Sequence, residues 1–198
     1  DISDKWPNLS MREVTVEHAV FQLGDSDIQL SFSHNRVGAH EDYPKKLDTF
    51  KQFFDDSFQV ILEYLKIKTL SRVGNRYQYI LKVGDADEAT NMLMEQGLFY
   101  ISPEGKNLKG KISEPSVKFI IKQDDISTTV RIGYIKRSLE FSAPKPVVVD
   151  KSAFIEQGIS VDFDFFTTKP VDRGILSIAE FITTHQRNSR KLIENLFR

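Results

Sequence analysis

With 198 residues, 40% hydrophobic and 28% charged, the chain has the make-up of a globular protein with one sizeable core, which argues against both a disordered chain and a membrane-inserted one. A formal net charge of −1 supplies no overall attraction to nucleic acid or anionic lipid, so a polyanion site would have to be a local patch. The absence of cysteine removes disulfides, thiolate nucleophiles and cysteine-ligated zinc or iron–sulfur centres.

Fifteen phenylalanines against one tryptophan point to a core filled with flat rings, each burying a large area. No apolar run approaches the roughly 20 residues of a membrane span, and no signal-peptide pattern opens the chain. A cytoplasmic protein without membrane association is therefore expected. The chain opens on Asp1 rather than Met, which leaves room for an N-terminal strand upstream.

In chain order, VTVEHAVFQL (14–23) and DIQLSFS (27–33) alternate with the period of strands, and GDSD between them reads as a turn. Ile28, Leu30 and Phe32 face one way, Gln29, Ser31 and Ser33 the other, as in a half-buried antiparallel hairpin. Over 43–67 the period changes. Leu47, Phe50, Phe54, Phe58, Ile61 and Leu65 step by three or four residues and predict a long amphipathic helix, with Pro44 suited to its first turn. SRVGNRYQYILKV (71–83) reads as a long strand. A short helix follows, with Asp85 as N-cap, Glu88 three residues on and Gly97 as the stop.

The 102–115 segment, rich in Gly, Pro and Lys, is expected to be a mobile surface loop. SVKFIIKQ, ISTTVRIGYI, SLEFSA, PVVVD and ISVDFDFF then follow as short strands at hairpin spacing. A second amphipathic helix closes the chain over 175–197. The expected architecture is a single α+β domain over 1–198: a twisted, mainly antiparallel sheet with two long helices packed on one face.

Three passages carry a resemblance: FSHNRVGAHEDYPKKLDTFKQFF, RVGNRYQYI, and the ISVDFDFF strand with the helix behind it. Together they resemble a widespread but sporadically distributed family of uncharacterised bacterial proteins. Its members carry a Tyr-Pro pair leading into the first long helix, an Arg-x-x-x-Arg-Tyr strand, an Asp-x-Asp strand and a terminal helix. The likeness covers most of 14–198. Members usually begin with an extra apolar strand, which DISDKWPNLS does not supply. The resemblance implies a bacterial source and supports the fold; it brings no activity.

Three constellations carry candidate chemistry. Asp162 and Asp164 share one face of a strand and form a pair of hard oxygen ligands, with Glu140 and Asp150 in neighbouring strand candidates. The plainer account is a solvated face on which these acids pair with arginines. His185 and Ser189 fall on the apolar line of the terminal helix (Ile175, Ile178, Ile182, His185, Ser189, Leu192, Leu196). They read either as a general base with a partner or as a core histidine bonded to the sheet. His18, His34 and His40 show no ligand spacing. Arg72, Arg76, Lys118, Lys122 and Arg131 are the candidate binding residues: each pair shares a strand face and would make a positive ribbon if the strands adjoin. Tyr77 and Tyr79 point the opposite way from Arg72 and Arg76, toward the core, which weakens a nucleic-acid reading.

The matched alternation and opposite sign of the arginines in SRVGNRYQYI and the aspartates in SVDFDFF predict that Arg76 meets Asp162 or Asp164 across the sheet. The functional expectation is a non-enzymatic binding or interaction protein without cofactor or metal, part of a larger bacterial assembly or defence-type system. It has a protein partner, a second copy of the chain included. The alternatives are a metal-dependent phosphoester hydrolase using Asp162, Asp164 and His185, or a nucleic-acid-binding accessory protein using the basic strands.

Overall fold

The computed structural model describes residues 2–24, 26–42, 47–100, 112, 114–138, 155–174 and 177–197. The fold is α+β with antiparallel sheets, as the alternation predicts. Among the described residues the strands do not form one continuous sheet. They divide into two four-stranded sheets and a two-stranded ribbon. The chain correspondingly separates into two compact units, Asp1–Ser71 with Pro170–Thr184, and Arg72–Lys169 with His185–Arg198. The boundary falls inside the terminal helix.

In the first unit, β1 (Leu9–Val14), β2 (His18–Leu23), β3 (Gln29–Ser33) and β4 (Arg36–His40) form an antiparallel meander. The single strand expected over 14–23 is cut at Thr15–Glu17. The Thr15 hydroxyl accepts from the backbone N–H groups of Glu17 and His18, a local turn that competes with the ladder, and Val16 stands wholly in solvent at the tip. β1 lies where no apolar strand is legible because all of it but Leu9 is exposed, so it has no buried face to mark.

After the short α1 (Ile2–Lys5), helix α2 (Leu47–Tyr64) lays Phe50, Phe53 and Phe54 against Ile28 and Leu30 of this unit. Trp6 meets Phe53 edge-on at 5.2 Å. The helix stops where Lys66 turns left-handed (φ 52°) and the Ile67 N–H reaches back to the Leu62 carbonyl. β5 (Thr69–Leu70) pairs with β10 (Val171–Asp172). The Tyr43–Pro44 start expected for the helix falls outside the described residues.

In the second unit, β6 (Gly74–Lys82), β7 (Ser116–Gln123), β8 (Ile126–Ser138) and β9 (Ile155–Thr167) are ordered β6-β9-β8-β7. Val130, Ile132, Ile159, Val161, Phe163 and Phe165 make its buried face. Against that face pack Ala89 and Leu93 of α3 (Ala86–Glu95) and Leu192, Ile193 and Leu196 of α4 (Ile178–Leu196). Asp85 caps α3 by accepting from the Glu88 N–H, and Glu88 returns to accept from the Gly84 N–H; Gly97 takes φ +68° at the stop. Gly158 is required on β9 because a Cβ there would run into the Leu81 carbonyl oxygen of β6. The expected strands SLEFSA and PVVVD, with Glu140 and Asp150, and nearly all of the 102–115 loop lie outside the described residues. Among the described residues, no helix is long and apolar enough to cross a membrane.

Candidate functional site: the charged face of the second sheet

Alternation along β9 sends Phe163 and Phe165 into the core and Asp162 and Asp164 to the opposite face. The register sets Arg131 of β8 directly opposite Asp162, and Arg76 of β6 opposite Asp164. Arg76 nevertheless reaches diagonally to Asp162. Its Nε donates to Oδ1 at 2.7 Å and its Nη2 to Oδ2 at 2.9 Å, a two-point guanidinium–carboxylate fork. Arg131 Nη1 donates to Oδ2 at 3.1 Å from the other side.

The Asp162 side chain is only 6% exposed, while Arg76 and Arg131 keep 63% and 46% of theirs in solvent. One buried anion is thus held by two cations whose outer edges remain free to meet something else. The hydrogen bond to Asp162 holds the Arg76 guanidinium above its ordinary pKa, against the lowering effect of burial. The sequence expectation that Arg76 meets one of these aspartates holds, with Asp162 as partner.

Arg72 takes a looser position. Its Nη2 lies 3.5 Å from Asp164 Oδ2, and its guanidinium carbon sits 4.1 Å from the centre of the Phe166 ring. Gln78 donates to the Ser160 hydroxyl at 2.8 Å on the same face. Lys118 and Lys122 of β7 complete the row, Lys118 opposite Arg131 and Lys122 opposite Ser127. Among the described residues no carboxylate pairs with either lysine. Four of the five basic residues singled out from the sequence belong to one sheet, Arg72 lies two residues ahead of β6, and with Lys82 they gather on the charged face around Asp162 and Asp164.

His185 is placed elsewhere. It is buried in α4 and stacks on Phe165 with ring centres 4.5 Å apart. Phe165 belongs to the core face, so the sheet itself separates His185 from Asp162 and Asp164, and the structure does not assemble the three into one centre. Ser189, one turn on, is fully buried. Its hydroxyl donates to the Gln186 carbonyl and takes the Tyr79 hydroxyl at 2.8 Å, so Tyr79 supplies the proton of that second bond. Polarity on the apolar line of α4 thus serves helix-to-sheet attachment. Tyr77, also turned to the core, accepts from Asn75 Nδ2 at 2.9 Å, and burial pushes its phenol pKa up.

In the first unit, His18 lies 3.2 Å from Glu13 and His40 3.2 Å from Asp42, separate surface pairs. Among the described residues no three His, Asp or Glu side chains are grouped to hold a metal ion. An open surface cavity of about 510 Å³, lined by Glu63, Lys66, Ile67, Lys68, Arg173 and Gly174, contains none of the residues singled out from the sequence.

Sequence reasoning placed SVKFIIKQ as a strand but missed that it is an exposed edge. Phe119, Ile120 and Ile121 of β7 are 38%, 55% and 42% exposed, three consecutive large apolar residues at a sheet edge. The signal was the unbroken Phe-Ile-Ile between Lys118 and Lys122, which departs from the strict alternation of a half-buried strand. Compared with family models, curated proteins and solved structures, the chain matches none.

Proposed function

We propose that the protein is a non-enzymatic binding protein that takes an acidic protein partner on the charged face of the β6-β9-β8-β7 sheet. One observation carries this reading: on that face Arg76, Lys82, Lys118, Lys122 and Arg131, with Arg72 just ahead of β6, outnumber the acids, which among the described side chains of these strands are Asp162 and Asp164. Most of the excess positive charge stands on the strands, and Arg76 and Arg131 stay half-exposed while their inner edges are fixed on Asp162. Pre-fixed side chains lose less entropy on binding, which favours recognition over incidental surface charge. A bacterial source, a cytoplasmic setting and membership of a larger assembly or defence-type system belong to the same reading.

The hydrolase alternative loses ground because Asp162 is engaged by two arginines and His185 lies across the sheet. The nucleic-acid alternative loses its two tyrosines, since Tyr77 and Tyr79 are committed to the core. The test is crosslinking in the host cells with the parent chain and with Lys82→Glu/Lys118→Glu/Lys122→Glu, whose fold is first checked by melting. The parent is expected to hold a protein partner that the variant loses at least tenfold. Equal retention by both, or loss of the parent's partner on nuclease treatment, would sink the reading.

A further inference from the structure

We infer that the outer edge of β7 is a strand-addition site for an extended segment of another protein, one that sets two acidic residues four apart around an apolar stretch. The inference rests on the binding reading above and gives it a place and a partner chemistry.

β7 pairs with β8 over all eight of its residues, from Ser116 to Gln123, and stands last in the sheet order. Every second N–H and C=O along its far side therefore points outward, and no described backbone group bonds to them. Sheet edges of soluble proteins are normally kept short, bulged, covered or guarded by lysines. This one is long and regular, and between Lys118 and Lys122, its guards against non-complementary strands, it exposes Phe119, Ile120 and Ile121. An added strand would pair with the free backbone groups and cover those side chains in one step.

The charges choose the partner. Lys118, Ile120 and Lys122 lie on the charged face, and Phe119 and Ile121 on the other. The two lysines stand about 13 Å apart, four residues at roughly 3.3 Å each. A complementary strand places an acid, an apolar residue and an acid on one side, and two apolar residues on the other. Glu-Val-Ile-Val-Glu is the simplest such sequence, and it reads the same in either chain direction. A second copy of β7 fits badly: the antiparallel register that sets Ile120 on its own copy sets Lys118 against Lys122 twice, and directly opposed like charges destabilise a pair.

The probe is a labelled peptide with Glu-Val-Ile-Val-Glu flanked by Ser-Gly on each side, followed by anisotropy and by residue-resolved amide exchange on the full chain. In the free protein the outward half of the β7 amides should exchange freely, and the peptide should slow them at least tenfold. Lys118→Glu/Lys122→Glu should weaken that peptide at least tenfold and bind the Lys-Val-Ile-Val-Lys counterpart in its place. The inference falls if the outward β7 amides are already protected in the free protein, which would mean that another part of the chain or a second copy occupies the edge. It also falls if a scrambled peptide of equal charge, or a single-stranded oligonucleotide, binds as well as the designed one. If the crosslinked partner is lost with the charge-reversed face but leaves β7 exchange unchanged, the broader binding reading stands and the strand-addition site does not; if both experiments fail, both do.

Discussion

β9 and β7 carry closely similar patterns, Val-Asp-Phe-Asp-Phe-Phe over 161–166 and Val-Lys-Phe-Ile-Ile-Lys over 117–122, and the sheet gives them opposite fates. β9 is paired on both sides; Phe163 is fully buried and Asp162 nearly so. β7 is paired on one side, and its phenylalanine and lysines face water. A charge on the inner strand is consumed by the fold, because an ion between two neighbours must be matched by them. The lysine charges of β7, which does not border β9, are left available, whereas Arg76 on the opposite edge strand β6 is drawn onto Asp162. Adjacency to β9 and its buried Asp162, more than residue type, separates structural charge from charge that can serve a partner.

The largest expected effect sets one residue type in both places. Phe163→Ala should cost about 3–5 kcal/mol, because a large ring leaves a cavity that the packed sheet cannot collapse to fill. Phe119→Ala should cost only about 1–1.5 kcal/mol, since much of that ring is already in solvent. Chemical denaturation midpoints of the two variants measure the gap. Equal losses would mean that β7 is covered and the contrast between the strands is false.

Much of this contrast was legible in the sequence up to the point where strand order is needed. The alternation of β9 identified which residues face together, and the opposite signs on β6 and β9 identified Arg76 and an aspartate as partners. Both follow from a period of two residues, which is local. Which strand borders β9 is a long-range property, and Lys118 and Arg76, both on edge strands, look alike until the order β6-β9-β8-β7 shows that β6 alone of the two adjoins Asp162. The same limit explains the division into two four-stranded sheets, because each hairpin has the same local signature whichever sheet it joins. His185 was readable as a residue on the core line of α4. Its ring partner, Phe165, lies on a strand whose distance from the helix no spacing reveals.

The second expected effect concerns the buried anion. Arg76→Ala/Arg131→Ala leaves Asp162 with neither cation, and an uncompensated buried carboxylate should cost about 3 kcal/mol, the lower end of the usual range because the vacated space admits water. For a chain of this length that is a fall of roughly 6–12 °C in the thermal midpoint. Adding Asp162→Asn should recover part of the loss, since the three side chains act as one unit. A triple variant no better than the double would show that the arginines stabilise through packing of their stems instead.

Third, the inner strand should resist a single added methyl group. Gly158→Ala places a Cβ against the Leu81 carbonyl of β6, backbone that cannot swing aside, and a cost of about 1–3 kcal/mol is expected from the forced shift. Amide exchange should localise the damage to the pairing of Leu81 and Lys82 with Ile159 and Gly158. A melt unchanged from the parent would mean that the two strands part freely there.

The smallest expected effect is the one that most sharpens the comparison. Lys118→Ala/Lys122→Ala removes two charges from the sheet, as many as the arginine pair, yet neither lysine holds a carboxylate among the described residues. Stability should therefore stay within about 0.5 kcal/mol of the parent, the range of ordinary surface substitutions. It could even rise slightly, because the edge would lose the repulsion between Lys118 and the facing Arg131. The cost should appear as self-association. Lysines on an edge strand hinder its pairing with a second chain, and without them Phe119, Ile120 and Ile121 are left unguarded on an open ladder. Sedimentation over a range of concentrations should show the variant associating where the parent stays dispersed. A destabilised variant that remains dispersed would show that the lysines serve the fold, and the distinction between the inner and outer strands would have to be given up.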